Sequence, residues 1–266
     1  MPGSFPESAV TGRRREELIL GMLRSAIKKL AGNYGYEVRR IVPDYFPYEA
    51  QKRLVTNLAP VIFDVGAHVG GMSRKYRGDF PGSMIYAFEP APDSYAQLEK
   101  FAAIDGRIHT LQAALSDSRG ELTFYINASQ ATNSLLPTEP EIEKYWGQGP
   151  IGAPALATKK TVAVQAETLD DFCREKGIAF IDILKIDAQG GEFAILKGAR
   201  QLFYGKAIGL VYLEILVAPT YAGQPALSQY FAFFERYGYA LYNVFDISHR
   251  GEGRLVQFDA IFIAPR

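Results

Sequence analysis

The segment DVGAHVGG, residues 64–71, brings an acid, glycines and a histidine together directly after the apolar run VIF. A buried strand that ends in a glycine-rich turn is typical of a nucleotide-binding site. The dinucleotide pattern G-x-G-x-x-G requires glycine at positions 66, 68 and 71, but His68 occupies the middle position. Because the middle glycine lets the backbone approach a pyrophosphate closely, this turn disfavours a dinucleotide.

Two acids follow neighbouring predicted strands. Asp64 stands at the first turn, with Gly66 and Gly70, and Glu89 ends the next strand. A carboxylate at the first turn repels a pyrophosphate but attracts the ammonium and sulfonium charges of S-adenosylmethionine (SAM). A carboxylate at the second strand end can accept hydrogen bonds from both ribose hydroxyls. Together they predict SAM as the cofactor. The alternatives are that Asp64 caps a helix and that Glu89 is a surface carboxylate.

A second group of polar residues follows two later strands. Lys185 and Asp187 lie on one face of the run ILKID, where a parallel sheet is normally apolar. Glu214 ends the strand after it. For methylation of a hydroxyl, the candidate bases are Asp187, His68 and Glu214, in that order. Lys185 is explained equally well as a functional residue or as half of an ion pair that anchors the sheet.

The composition excludes several classes of partner. The 266 residues include 29 basic and 29 acidic side chains, which gives no reason to expect nucleic acid. No His, Cys and acidic residues cluster at ligand spacing, so we expect no metal. The one cysteine, Cys173, suits a reducing compartment.

No apolar run reaches the roughly 18 residues of a membrane span, so we expect no membrane insertion. No signal-peptide pattern opens the chain, so a cytoplasmic protein is expected. The sequence leaves open whether the protein forms a homo-oligomer.

Strands that alternate with helices must position these residues. Apolar strand patterns occur at 61–65, 83–89, 108–115, 181–187, 209–215, 239–245 and 257–264, and helical patterns at 71–77, 93–103, 168–176, 192–204 and 226–237. This alternation predicts an α/β fold with a mostly parallel, doubly wound sheet. Only the polar turn 247–254 separates the last two strands, so they should form an antiparallel hairpin.

Two regions depart from the alternation. Residues 120–166 hold two added strands, 121–126 and 161–166, around a long irregular stretch, 127–160, and this region is interpreted as an insertion. Residues 1–57 are predicted to form a flexible segment and a helical cap, with a helix over 13–30 and a short strand-like piece at 37–42. The main domain then covers 58–266.

The motifs DVGAHVGGMS, AFEP, AALSD, TLDDF, LKIDAQGGEFAILKGA and VYLEI follow one another in an order that resembles the FkbM family of SAM-dependent methyltransferases. The resemblance covers roughly 58–264 and implies the Rossmann-like class I methyltransferase fold. Two positions depart from the family pattern. Gln189 replaces the acid of the usual IDVEG, and His68 stands where many members have asparagine.

The resemblance also implies which residues bind SAM. Asp64, Gly66 and Glu89 are expected to hold it, with Ser116 and Asp117 near the adenine. The neighbouring residues that we assign to the same site are Ala67, His68, Gly70, Ser73, Pro90 and Asp187.

Family members methylate hydroxyls on polyketides, sugars and other secondary metabolites. The resemblance therefore implies an O-methyltransferase with a small-molecule, glycan, polyketide or peptide acceptor. An N-methyltransferase acting on an amide or amine is the alternative, although DAQGG stands where many such enzymes carry an Asn/Asp-Pro-Pro-Tyr/Phe loop. A third and more remote alternative is that the protein is a NAD-dependent oxidoreductase or a non-catalytic nucleotide-binding domain.

Overall fold

The computed structural model describes residues 7–36, 38, 46–149, 152–251 and 253–265. The chain divides into two compact units, Met1–Tyr45 and Phe46–Arg266. In the first unit, helix α1 (Glu7–Asn33) includes the predicted helix at 13–30. The strand-like piece predicted at 37–42 lies outside the described residues, apart from position 38. No described helix combines the length and apolar character needed to cross a membrane.

The second unit contains strands and helices in alternation. The strands are β1 (Val61–Val65), β2 (Met84–Phe88), β3 (Ile108–Leu111), β4 (Ala114–Leu115), β5 (Gly120–Asn127), β6 (Thr158–Glu167), β7 (Ile181–Ile186), β8 (Ile208–Leu216), β9 (Ala240–Arg250) and β10 (Arg254–Ile263). The helices are α2 (Pro47–Leu54), α3 (Gly71–Asp79), α4 (Pro92–Ala102), α5 (Glu143–Trp146), α6 (Leu169–Lys176), α7 (Glu192–Lys197), α8 (Arg200–Tyr204) and α9 (Leu227–Arg236).

The main sheet has seven strands in the order β3-β2-β1-β7-β8-β10-β9. Strands β3, β2, β1, β7 and β8 are parallel, and β10 is antiparallel to both of its neighbours. This confirms the doubly wound sheet with a C-terminal antiparallel hairpin. The strand order reverses between β1 and β7, and open α/β sheets bind ligands beyond the carboxyl ends of the strands at such a point.

Three predicted elements have different bounds in the structure. The strand predicted at 108–115 is two strands, because β3 pairs with β2 whereas β4 pairs with β6 in another sheet. The helix predicted at 192–204 is divided into α7 and α8 near Gly198, where an added Cβ would lie 2.1 Å from the Ser116 carbonyl oxygen. The C-terminal turn is shorter than the predicted 247–254, since β9 continues to Arg250 and β10 begins at Arg254.

Strands β1 and β7 are covered on both faces. Ile62 and Ile183 belong to one apolar cluster, whereas the next residues, Phe63 and Leu184, belong to another. Successive side chains of a strand point to opposite faces, so a strand buried on both faces must be apolar at consecutive positions. This accounts for the uninterrupted apolar runs that lead into the strand ends.

Helix α2 belongs to the second unit. Ala50 and Gln51 are fully buried, and the Tyr76 hydroxyl donates a hydrogen bond to Gln51 Oε1 at 2.9 Å. The second unit therefore begins at Phe46, before the boundary predicted at 57/58.

The two added strands predicted in the insertion are β5 and β6. Together with β4 they form a separate three-stranded sheet in the order β4-β6-β5. The stretch between them is less irregular than predicted, because it contains α5 and two 3₁₀ turns, Gln130–Thr132 and Ala153–Leu156. Among its contacts with the rest of the unit, Ser134 Oγ donates to the carbonyl oxygen of Gln189, just beyond β7, at 2.6 Å.

Candidate active site

A cavity opens at the carboxyl ends of β1, β2 and β7. Its volume is about 170 Å³, and its mouth is open to solvent. The strand-end residues Gly66, Glu89 and Asp187 line it together with Gln130 and Asn133 of the insertion. Residues from four distant parts of the sequence therefore meet where the strand order reverses.

The turn after β1 requires glycine at two positions. Gly66 has a φ of +70°, and an added Cβ would lie 1.8 Å from the Asp187 carbonyl oxygen, so only glycine allows the ends of β1 and β7 to approach this closely. Gly70 has a φ of +87°, and an added Cβ would lie 2.5 Å from the Phe101 ring. Gly70 therefore serves the packing of α3 on α4. Neither Gly70 nor the buried Ala67 lines the cavity. The structure therefore gives no support for the predicted contacts of these two residues with the cofactor.

Asp64, which we expected to contact the cofactor, is fully buried behind the turn. Its carboxylate pairs with Lys185 Nζ at 3.1 Å and accepts a hydrogen bond from Ser73 Oγ at 2.7 Å. Lys185 Nζ also donates to the carbonyl oxygens of Val65 and Gly66. Asp64, Ser73 and Lys185 thus form a buried anchor that joins β1, β7 and α3. None of the three lines the cavity, so their predicted cofactor or catalytic contacts are not supported, and Lys185 fits the ion-pair interpretation.

Glu89 lies on the cavity wall, although it is only 6% exposed. Its Oε2 accepts a hydrogen bond from the His68 amide and its Oε1 accepts one from the Ala91 amide, both at 2.8 Å. Burial raises the pKa of this carboxyl, and the two amides oppose that rise. Each oxygen keeps a further lone pair, so Glu89 can still accept hydrogen bonds from two hydroxyls of a ligand. The adjoining Pro90 also lines the cavity.

His68 lines the cavity in a left-handed backbone conformation, with a φ of +51°. For a residue other than glycine this costs about 1–3 kcal/mol and is typical of functional sites. The bond from its amide to Glu89 holds the turn in place. The ring Nε2 is buried and has no hydrogen-bond partner among the described residues. A buried polar atom of this kind is costly to leave unsatisfied, so His68 is suited to contact a bound ligand.

The predicted adenine contacts, Ser116 and Asp117, lie outside the cavity wall. Residues 113–115, directly before them, line it instead. Ser116 is buried, and its amide donates to the Glu167 carbonyl oxygen at 2.9 Å. The Asp117 carboxylate pairs with Lys197 on α7. Strand β4 pairs with β6 of the second sheet, so the chain leads away from the cavity from Ser116 onward. The slot of the cavity that residues 113–115 line is apolar.

Asp187 and Glu214, at the ends of β7 and β8, are bridged by one amide. Gln189 Nε2 donates to Asp187 Oδ1 and to Glu214 Oε2, each at 2.9 Å. The Asp187 side chain is 45% exposed and lines the cavity. Glu214 does not line it and accepts a further bond from Gln257 at 2.6 Å. Burial, followed by the charges of Asp187 and Glu192, raises the pKa of Glu214 well above its ordinary value. Asp187 is therefore the carboxyl group of this pair that a ligand can reach.

Three amide side chains in the wall were not identified from the sequence: Gln130, Asn133 and Gln189. Gln189 offered a signal, since it follows Asp187 in the same turn. Gln130 and Asn133 offered none, because the insertion brings them to the cavity from a segment without a recognisable pattern.

The cavity suits an organic cation that carries an adenosine group. The apolar slot at 113–115 can take a flat base, Glu89 can accept from ribose hydroxyls, and Asp187 supplies a carboxylate. The residues that the structure describes include no group of three or more His, Cys, Asp or Glu side chains placed to hold a metal ion. These features fit SAM.

Comparisons with known proteins agree. Residues 64–241 match the methyltransferase FkbM domain family, which is more than half of the chain. The chain is 25% identical over 175 residues to the 2-O-methyltransferase NoeI of Sinorhizobium fredii, covering 62% of this chain and 67% of that protein. It is 28% identical over 203 residues to the 31-O-demethyl-FK506 methyltransferase FkbM of Streptomyces tacrolimicus, covering 68% and 73%.

A third relative is the methyltransferase sdnD of Sordaria araneosa, which is 31% identical over 158 residues. That alignment covers 53% of this chain and 61% of sdnD, less than two thirds of its length. The strand order, the cavity and the extent of the family match lead to one assignment. The chain belongs to the FkbM family of methyltransferases, with the class I α/β fold and SAM as the methyl donor.

Proposed function

We propose that this protein transfers the methyl group of SAM to a hydroxyl of a small molecule, a sugar or a secondary metabolite. Two relatives whose names specify O-methylation support the reaction type. The observation that supports it most directly is the Asp187 carboxylate. It is half-exposed on the cavity wall, whereas Glu89, the other carboxylate there, is only 6% exposed and already accepts hydrogen bonds from two backbone amides. A hydroxyl must lose its proton during methylation, and a carboxylate at this position can accept that proton.

SAM supplies an already activated methyl group, so the protein must mainly align donor and acceptor. Orientation of this kind contributes about 7–11 kcal/mol. Glu89 and the Gly66 turn are the residues that would hold the ribose and the backbone side of the donor. His68 Nε2, which is buried and has no hydrogen-bond partner among the described residues, would add a second polar contact with the donor. Asp187 acts as the general base, a role that adds about 10²–10⁴-fold to the rate.

The insertion supplies the side of the cavity that faces away from the sheet. Gln130 and Asn133 offer amide donors and acceptors, and Phe124 and Leu135 offer apolar surface. A wall of this mixed composition suits an acceptor with several hydroxyl groups on a partly apolar frame. A glycan, a polyketide or a peptide that carries a hydroxyl all meet this description.

Binding and transfer can be tested in sequence. Calorimetry with SAM, S-adenosylhomocysteine (SAH) and NAD should show binding of the first two ligands only. Methyl-tritiated SAM is then incubated with a panel of sugars, macrolide polyketides and hydroxylated peptides, and NMR of the labelled product identifies a methoxy or an N-methyl group.

Asp187→Asn should lower transfer at least about 100-fold and keep affinity for SAH. Asp117→Asn, outside the cavity, is the matched control. An N-methyl product, or full activity of Asp187→Asn, would refute the proposal.

A further inference from the structure

The side chain of Gln189 contacts two carboxyl groups at once. The two bonds from Nε2, to Asp187 and to Glu214, are of equal length, 2.9 Å. A primary amide has two hydrogens, so each carboxyl group can receive one. On the other side of the amide, Oε1 lies 3.0 Å from the Tyr221 hydroxyl, whose single hydrogen also has the Thr132 carbonyl oxygen within reach at 2.8 Å. The two carboxyl groups favour this orientation of the amide, because the opposite one would point an oxygen at both of them.

The backbone of Gln189 is held in an unfavourable conformation. Its φ is +48°, in the left-handed region that residues other than glycine rarely adopt. Ser134 Oγ donates to the Gln189 carbonyl oxygen at 2.6 Å. The amides of the residues on either side, Ala188 and Gly190, both donate to Glu192 Oε1. The turn is thus secured by the insertion and by α7, and this fixes the point from which the Gln189 side chain extends.

Asp187 has a competing partner. Its Oδ2 lies 3.9 Å from Lys185 Nζ, which already pairs with Asp64 at 3.1 Å. Without the bond from Gln189, the half-exposed Asp187 side chain could turn towards this ammonium group, and its negative charge would be neutralised away from the cavity. With the bond in place, Oδ1 stays at the wall.

We propose that Gln189 is a positioning residue that keeps the Asp187 carboxylate turned towards the methyl-donating end of the cavity. The inference rests on the proposed function, in which Asp187 meets the reacting groups. Glu89 and Asp187 follow β2 and β7, the strands that flank β1. A donor whose ribose is held at Glu89 therefore extends across Gly66 towards Asp187. An oriented carboxylate there favours a sulfonium over an uncharged thioether.

SAM and SAH test this without an acceptor, because they differ only in the methyl group and its positive charge. Calorimetry gives the ratio of their dissociation constants for wild type, Asp187→Asn, Gln189→Met and Gln189→Asn. Methionine has nearly the shape of glutamine but no amide, and asparagine keeps the amide on a stem too short to reach both carboxyl groups. All three variants should lose preference for SAM, by about fivefold to tenfold, with SAH affinity within about twofold of wild type.

Gln257→Met is the matched control. Gln257 donates to Glu214 at 2.6 Å, and no bond from it to Asp187 is found among the described contacts, so this variant should keep the wild-type ratio. A wild-type ratio in Gln189→Met that still binds SAH would overturn the inference, and so would an equal loss of preference in Gln257→Met. A changed ratio in the Gln189 variants, combined with no methyl transfer to any hydroxyl acceptor, would support the inference while counting against the proposed O-methylation.

Discussion

At the scale of single residues, Glu89 combines two tasks. Its carboxylate satisfies the amides of His68 and Ala91 and so holds the ends of β1 and β2 together. Its remaining lone pairs face a cavity whose neighbouring slot is apolar. Because the side chain is buried, a hydrogen bond from a ligand to this carboxylate competes with little bulk water. We therefore propose that recognition of the ribose depends on Glu89 more than on the fully buried Asp64.

We expect Glu89→Ala to weaken SAM binding at least about tenfold, since it removes a charged acceptor and leaves two amides without partners. Calorimetry with SAM gives the dissociation constant. Glu121→Ala, on the exposed part of β5, should leave the constant unchanged. An unaltered affinity in Glu89→Ala would reject the ribose assignment, and a matching loss for SAH would confirm that the effect does not involve the sulfonium.

At the scale of elements, the junction between β7 and α7 carries Asp187, the proposed base, and Gln189. Glu192, the first residue of α7, is fully buried and accepts from the amides of Ala188 and Gly190 at 2.9 and 3.1 Å. The Tyr230 hydroxyl on α9 approaches its other oxygen at 3.4 Å. Burial raises the pKa of Glu192 to about 7. One side chain thereby shapes the turn that presents Asp187 and Gln189.

This raised pKa predicts a pH-dependent stability. In the folded protein the pKa of Glu192 is about 7, whereas its ordinary value is 4.5, so the folded state binds this proton more tightly. The contribution of the bound proton to folding stability is therefore complete below about pH 4.5 and is lost as the pH rises through about 7. Glu192→Gln keeps an acceptor oxygen but cannot ionise. Its free energy of unfolding in urea should exceed that of wild type by roughly 3 kcal/mol at pH 8, with the difference vanishing below about pH 4.5. Curves that stay parallel from pH 5 to 8 would contradict this, and Glu121→Gln should follow wild type throughout.

At the scale of the whole molecule, one buried ion pair joins the two halves of the sheet. Asp64 on β1 and Lys185 on β7 are paired in register, and they come from segments on either side of the insertion. Burial alone would lower the pKa of Lys185, but the carboxylates of Asp64 and Asp187 outweigh burial and raise it. The charged pair is therefore retained in the centre of the fold, where the strand order reverses.

Breaking this pair should strongly destabilise the protein. Lys185→Met leaves the Asp64 carboxylate buried without a counter-charge, which typically costs about 3–5 kcal/mol. Urea denaturation should show this loss, and adding Asp64→Asn to the same chain should recover part of it. Arg119→Met provides the comparison, because the Arg119 ion pairs with Glu167 and Glu175 lie at the exposed surface and should matter little. Equal losses in Lys185→Met and Arg119→Met would show that the buried pair has no special role.

The sequence by itself determined most of the strands, the doubly wound sheet, the terminal hairpin and the strand-end positions of Glu89 and Asp187. These properties follow from local periodicity and from the rule that ligands bind at carboxyl ends of parallel strands. Only the tertiary structure decided that Asp64 is sealed against Lys185, that 108–115 belongs to two sheets, and that Gln130, Asn133 and Gln189 line the cavity. The reason is physical: each of these outcomes depends on a partner distant in sequence, and no local pattern encodes which side chain that partner will be.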